Sequence, residues 1–367
     1  MQPSAIWQFS LESVHALIWG GPLLIALIVF ARLVPLRALV ISTTVVTLVL
    51  VMLGAYVRLT NAGLGCPDWP GCYGKFSPGF AAEQISAAEA EAPAGPVSLP
   101  KAWKEMVHRY LASLVGVMIL AIAYQALRGA RRRDAGPGAK IGLPLALVLL
   151  VVLQGLFGKW TVTLLLKPVI VTLHLLGGMA LVALLAWLSA RLLELRAGPP
   201  SMLRGIRPWA LSALIVLVLQ IVLGGWVSTN YAALACTDFP TCHGRWLPPM
   251  DFDHGFHFLR ELGMTAQGEP LSNDALNAIH WAHRVGAVVT CIIVGWTGLR
   301  SLRIRDLHGY ATALLGLLAL QVALGITNIL ASLPLPAAVA HNGVAALLLM
   351  TLVMLNFAVN SPTTFRR

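Results

Sequence analysis

Nine apolar runs, each close to the length needed to cross a bilayer, leave this chain little choice of architecture. They fall at about residues 16–34, 38–58, 104–127, 141–161, 169–190, 208–229, 277–299, 308–330 and 337–358. A spanning helix takes roughly 20 mainly apolar residues. Hydrophobic residues make up 57% of the chain and charged ones 11%, with a mean hydropathy of +0.77, so the bilayer is its solvent. A formal charge of +11 would by itself suit nucleic acid, but its distribution points elsewhere. The basic residues form short clusters between apolar runs, not the continuous basic face that phosphate binding needs.

Those clusters set the orientation. Arg32 and Arg37, then Arg128, Arg131, Arg132, Arg133 and Lys140, then Arg191, Arg196, Arg204 and Arg207, then Arg300, Arg303 and Arg305, and last Arg366 and Arg367 fall on alternate connections. By the positive-inside rule that side is cytoplasmic. The long connections near 59–103 and 230–276 then face outward, which for a bacterial cell membrane means the periplasm. The run at 16–34 has no basic stretch before it and no small-residue cleavage motif, so it reads as an additional helix within 1–37, not a cleaved signal. Residues 81–99 read as an exposed loop, and 129–140 as a basic linker.

The body of the chain is a repeat. Residues 53–74 (LGAYVRLTNAGLGCPDWPGCYG) align without a gap on 223–244 (LGGWVSTNYAALACTDFPTCHG). They agree at Leu53, Gly54, Val57, Ala62, Leu64, Cys66, Asp68, Pro70, Cys72 and Gly74. The register continues through His108-Arg109 against His283-Arg284, Gln154 and Gly158 against Gln321 and Gly325, and His174 against His341. The expectation is two tandem, pseudo-symmetric four-helix units, 38–200 and 201–367, running in the same direction. Parallel repeats of this kind are related by an axis along the membrane normal.

Four of the ten histidines therefore form two pairs, His108 with His174 and His283 with His341. Each pair lies on the second and fourth helices of its unit, at similar depth from the outer end. Imidazoles facing each other across a bundle are what a haem iron takes as axial ligands. Polar glue between helices is the plainer alternative; zinc would want three or four converging donors. Arg109 and Arg284 follow the second-helix histidines and reach toward the wet edge, either for haem propionates or for lipid headgroups.

The units differ three residues before that histidine, where the first has Glu105 and the second has His280. A carboxylate in one copy alone marks the first unit for chemistry and the second for electron transfer, unless Glu105 is only an interfacial acid paired with Lys101 or Lys104. The role of His280 stays open. Cys66 with Cys72 and Cys236 with Cys242 share one spacing in the outer loops and are disulfide candidates in an oxidising compartment, as staples or as redox-active pairs. Cys291, inside a helix, reads as an inert packing residue. His15, His243, His254, His257 and His308 have no repeat partners and receive no role.

The run at 54–74, the EMVHR motif at 105–109, His174 in VTLHLLGG and their second-half counterparts resemble the haem A synthases of aerobic bacteria and mitochondria over about residues 38–360. The resemblance implies a membrane oxidoreductase that oxidises a ring methyl of haem O to the formyl of haem A for haem-copper oxidases. It implies haem b held by His283 and His341 with Arg284, haem O received by His108 and His174 with Arg109, and Glu105 as the catalytic carboxylate. Membrane lipid, the haem O-producing enzyme and oxidase assembly factors are the expected partners. Homo-oligomerisation is left open. A dihaem electron-transfer subunit and a haem carrier are the competing classes; neither needs a carboxylate in only one copy.

Overall fold

The computed structural model of the protein describes residues 31–130, 141–195 and 200–361. Among these, eight helices are long and apolar enough to cross a membrane. They are α1 (Leu36–Leu59), α2 (Leu99–Ala130), α3 (Gly142–Thr163), α4 (Pro168–Leu192), α5 (Arg207–Thr229), α6 (Asn273–Ser301), α7 (His308–Leu330) and α8 (Leu335–Asn360). The additional N-terminal helix expected within 1–37 lies outside the described residues apart from its last few positions, as does most of the 129–140 linker.

Local chemistry explains where the helices begin. Proline occupies the first turn of α4, α5 and α8, where its fixed φ suits a helix and its missing N–H costs nothing. Ser272 caps α6, its hydroxyl accepting from the Ala275 amide at 3.2 Å. Both α2 and α6 start about a turn before the apolar runs that marked them. Lys101 and Lys104 in α2, and Asp274 in α6, end the hydropathy signal but not the helix. The loop expected at 81–99 is also partly helical, over Ala82–Glu91. Alanine and glutamate are strong helix formers, and Ile85 buries itself against Ala102 and Met106 of α2.

In the first unit α1 packs on α2, α2 on α3, α3 on α4, and α4 back on α1; α5 to α8 close the same ring. The two rings meet where α8 packs on α1 and α4, and α4 on α5. The largest apolar core lies at this junction, with Val51, Met179, Val182, Leu217, Leu348 and Leu352 among its members. Three threonines inside the first bundle bond locally: the Thr43, Thr44 and Thr47 hydroxyls donate to carbonyls four residues back, so these donors are satisfied away from water.

At the loop end of this junction, residues meet their own repeat counterparts. Arg58 donates to the carbonyl of Ser228 at 2.6 Å, and the Tyr231 hydroxyl donates to Asn61 Oδ1 at 2.9 Å. Both pairs are separated by 170 residues, the repeat offset. Contacts between equivalent positions define a two-fold axis, here the pseudo-axis between the units. The Arg58 guanidinium also lies 3.7 Å from the centre of the Tyr231 ring.

Candidate functional site

Each of the four repeated histidines lies over a glycine of a neighbouring helix. A Cβ on Gly54 of α1 would stand 3.2 Å from His108 Cε1, and one on Gly158 of α3 would stand 3.6 Å from His174 Cε1. In the second unit the distances are 3.1 Å from Gly224 to His283 and 3.2 Å from Gly325 to His341. A glycine thus gives each ring its place between helices. His108 lies within electrostatic reach of His174, as His283 does of His341. All four residues are half-buried. Yet the Nδ1 atoms of His108, His174 and His341 are fully covered and have no hydrogen-bond partner. His283 Nδ1 differs, lying 3.0 Å from Gln220 Nε2. Among the described residues no three His, Cys, Asp or Glu side chains converge, so each unit offers two imidazoles.

Above each pair sits a cysteine loop of one design. Cys66 and Cys72 are joined with Sγ–Sγ 2.05 Å, and Cys236 and Cys242 with 1.97 Å. The peptide bonds Trp69–Pro70 and Phe239–Pro240 are both cis. Asp68 accepts from the amides of Tyr73 and Gly74, each at 2.6 Å. Asp238 accepts from His243 at 2.7 Å and Gly244 at 2.9 Å. The Thr241 hydroxyl and then the Gly244 amide hold Asp238 well below the usual carboxylate range. Gly74 and Gly244 have φ of +68° and +71°, which glycine adopts without strain.

The residues singled out by the sequence clamp these loops. Glu105 Oε1 accepts from Arg109 at 2.6 Å and Oε2 from the Cys66 amide at 2.9 Å. Arg109 also donates to the carbonyls of Asp68 at 2.9 Å and of Pro70 and Gly71. The lysines proposed as partners of Glu105 are elsewhere: Lys101 reaches the Gly95 carbonyl, and Lys104 stands over the Tyr56 ring. In the second unit His280 Nδ1 accepts from the Cys236 amide at 3.3 Å, and its Nε2 lies 3.2 Å from Arg284 Nε. Arg284 donates to the carbonyls of Thr241, Cys236 and Asp238 at 2.7, 2.9 and 2.9 Å.

This answers what His280 does. Imidazole and carboxylate occupy equivalent positions, each accepting from the first cysteine's N–H beside the arginine four residues on. The carboxylate has a second acceptor for that arginine, whereas a neutral imidazole accepting at Nδ1 has none left at Nε2. The difference is charge: Glu105 offers a full anion to Arg109, while a neutral imidazole leaves the Arg284 charge to backbone carbonyls. A His280→Glu variant is therefore expected to keep the second loop closed and raise the thermal midpoint, since a charge-assisted bond is about twice as strong as a neutral one. A lowered midpoint would contradict the equivalence.

Asp68, Asp238 and the glycines under the rings received no role from the sequence, although Gly54, Asp68, Gly158 and their counterparts recur in both copies. Recurrence of a small or acidic residue beside a functional one was the available signal. Gln220 left no such trace, because Leu50 stands at its repeat position. Of the unassigned histidines, His243 lies 3.3 Å from Asn277 Oδ1 through Nε2, and His254 pairs with Asp251 at 2.6 Å. Cys291 is a free, half-buried thiol.

The loop closed by each cysteine pair spans a sequence separation of 6, so in the chain-entropy picture a pair stabilises its loop by about 2 kcal/mol. Serine at Cys236 and Cys242 is expected to lower the thermal unfolding midpoint accordingly. An unmoved midpoint would mean that the arginine and aspartate bonds hold the loop alone.

Comparison with known proteins gives this architecture its relatives. A heme A synthase from Shewanella oneidensis is 42% identical over 316 residues, covering 86% of this chain and 94% of that protein. A heme A synthase from Methylobacterium nodulans is 29% identical over 324 residues, 82% and 85% of the two chains. One from a Caulobacter strain is 28% identical over 348 residues, 89% and 97%. The description of the COX15-CtaA family, cytochrome oxidase assembly proteins, matches residues 37–353. The chain, with eight helices among the described residues long and apolar enough to span, arranged in two rings, belongs to the COX15-CtaA family of cytochrome oxidase assembly proteins and is a multi-pass membrane protein.

Proposed function

We propose that this protein is a haem A synthase, an oxidoreductase that converts a ring methyl of haem O to the formyl group of haem A by successive oxygenations, supplying haem-copper terminal oxidases. The observation that carries this reading is the pair of half-buried imidazoles within electrostatic reach of each other in each unit. Three of the four have a buried Nδ1 with no protein partner, and each has a glycine where a side chain would crowd the ring. Two imidazoles per unit, with no third donor converging among the described residues, would suit a haem iron better than zinc, which wants three or four.

In this reading His283 and His341 hold haem b, and His108 and His174 receive haem O. Iron supplies the one-electron and oxygen chemistry that oxidation of a C–H bond demands. The chain supplies position and proton control. Glu105 is the catalytic carboxylate. Its oxygens are engaged by Arg109 and the Cys66 amide, so a proton arriving at Oε1 loosens Arg109 and with it the carbonyls of the first cysteine loop. Arg109 and Arg284 act on substrate and cofactor through the loops they hold. The loops cover the histidine pairs and limit the entry of water. The units correspond to residues 38–200 for the haem O site and 201–367 for the haem b site. The protein resides in the bacterial inner membrane with its cysteine loops toward the periplasm, as the basic clusters on alternate connections favour.

Extraction and chromatography of the haems in purified protein tests the reading. Haem b together with haem O or haem A is expected. Two fixed haems b would replace the synthase with a dihaem electron carrier.

A further inference from the structure

We propose that Gln220 is a positioning residue that makes the C-terminal histidine pair retain its haem, and that the lack of an equivalent group lets the N-terminal pair exchange one. The inference rests on the reading that His283 and His341 carry haem b while His108 and His174 take haem O.

Gln220 projects from α5 with Nε2 3.0 Å from His283 Nδ1 and 3.0 Å from the His283 carbonyl oxygen. It reaches that place because residue 286 has no side chain: a Cβ on Gly286 would stand 2.3 Å from Gln220 Oε1. The repeat counterparts of Gln220 and Gly286 are Leu50 and Leu111. Neither offers a hydrogen bond, and His108 Nδ1 is buried without a partner. One unit thus has an amide and the slot that admits it, where the other has two leucines.

Iron on Nε2 of an imidazole leaves the proton on Nδ1, so the group facing Nδ1 must accept. Gln220 Oε1, buried and unpartnered while the nitrogen faces the ring, becomes that acceptor by a half-turn of the amide, which gives up the bond to the His283 carbonyl. Amide oxygen and nitrogen are interchangeable in shape. Such a partner holds the ring's orientation from the start and, after the half-turn, its tautomer, and outer-shell partners of metal-bound histidines change metal affinity by about 10–100-fold. A cofactor that stays benefits from a ring already oriented. A substrate that must leave as product is better served by His108, whose ring is ordered only on binding.

Gln321 and Gln154 do not explain the difference, since both units have glutamine at that position. Gln321 lies 3.2 Å from His341 Nε2, a contact that must open for iron to bind there. Gln154 is lodged instead against Gly177.

The test uses detergent-purified holoprotein mixed with excess apomyoglobin as haem acceptor, with transfer followed for each haem by extraction and chromatography, and low-spin ferric resonances recorded alongside. Gln220→Leu is expected to release haem b about tenfold faster with shifted resonances, while release of haem O and haem A is unchanged. Gln220→Glu, which keeps an acceptor against Nδ1, restores retention. The reciprocal Leu50→Gln with Leu111→Gly slows release of haem O and haem A. Wild-type release and unchanged resonances in Gln220→Leu would overturn the proposal. Should Gln220→Leu lose all haems together through misfolding, the reciprocal variant decides, and an unchanged haem O release rate would overturn it. Retention of haem b by His283→Ala would instead remove the underlying assignment of ligands.

Discussion

A His283→Ala variant is expected to lose most of its haem b and, with it, the low-spin spectrum of a bis-imidazole iron, while haem O still enters the first unit. Loss of even an outer-shell partner costs a metal site about tenfold or more in affinity, and His283 is the ligand itself. Its ring stands between Gly224 and Gln220, with His341 in electrostatic reach, so alanine removes one of only two imidazoles in that unit. His243→Ala is the matched control, because that ring belongs to the cysteine loop and meets Asn277 in the first turns of α6, away from the histidine pair. Equal haem b content in both variants would refute the ligand assignment. His108→Ala should give the mirror result: haem b intact, haem O absent and conversion lost.

The second large effect concerns Glu105, whose side chain serves two purposes that single variants can separate. Glu105→Ala should abolish haem A formation while haem b remains. It also removes the anion beside Arg109, whose side chain is only 12% exposed and keeps only the carbonyls of the loop as partners, and breaking such a buried pair costs about 3 kcal/mol of stability. That cost clouds any simple conclusion about chemistry. Glu105→His reduces it by copying the second unit, where an imidazole at the equivalent position accepts from the Cys236 amide beside Arg284. It is expected to keep thermal stability near the wild type, keep both haems bound and still fail to convert haem O. Full conversion by Glu105→His would reduce Glu105 to a loop clamp. Failure with a melted loop would leave Glu105→Gln, which preserves shape and one acceptor, to distinguish charge from geometry by its rate.

Much of this was legible in the residues. The apolar runs gave all eight described helices, because in hydrocarbon nothing but length and polarity decides where a helix crosses. The repeat gave the histidine pairs and cysteine loops, because positions under the same geometric demand kept the same residue in both copies. The partners of Glu105 and Arg109 were not legible. They are main-chain groups of the loop, and a sequence does not show which carbonyl or amide faces a side chain. His280 looked like a departure from the pattern because residue type was compared; by hydrogen bonding it keeps the pattern. The Ala82–Glu91 helix was hidden because Ile85 is its only buried side chain, too few for a periodic signal. Gln220 was invisible for the opposite reason to the histidines: its meaning lies in being absent from the other copy.

Arg58 against Ser228 and Asn61 against Tyr231 bear on which halves can pair. On a true dyad each residue would face itself. Two first units brought together would set Arg58 against Arg58, two cations at the mouth of an apolar junction, and two second units would set Tyr231 against Tyr231 with no amide oxygen to receive the hydroxyl. Only the unlike combination sets the guanidinium against an uncharged residue with a tyrosine ring beneath it. Expressed as separate polypeptides, the halves would thus choose each other over themselves, so the covalent link between α4 and α5 serves to fix stoichiometry and synthesis order, while partner choice is already written at the axis.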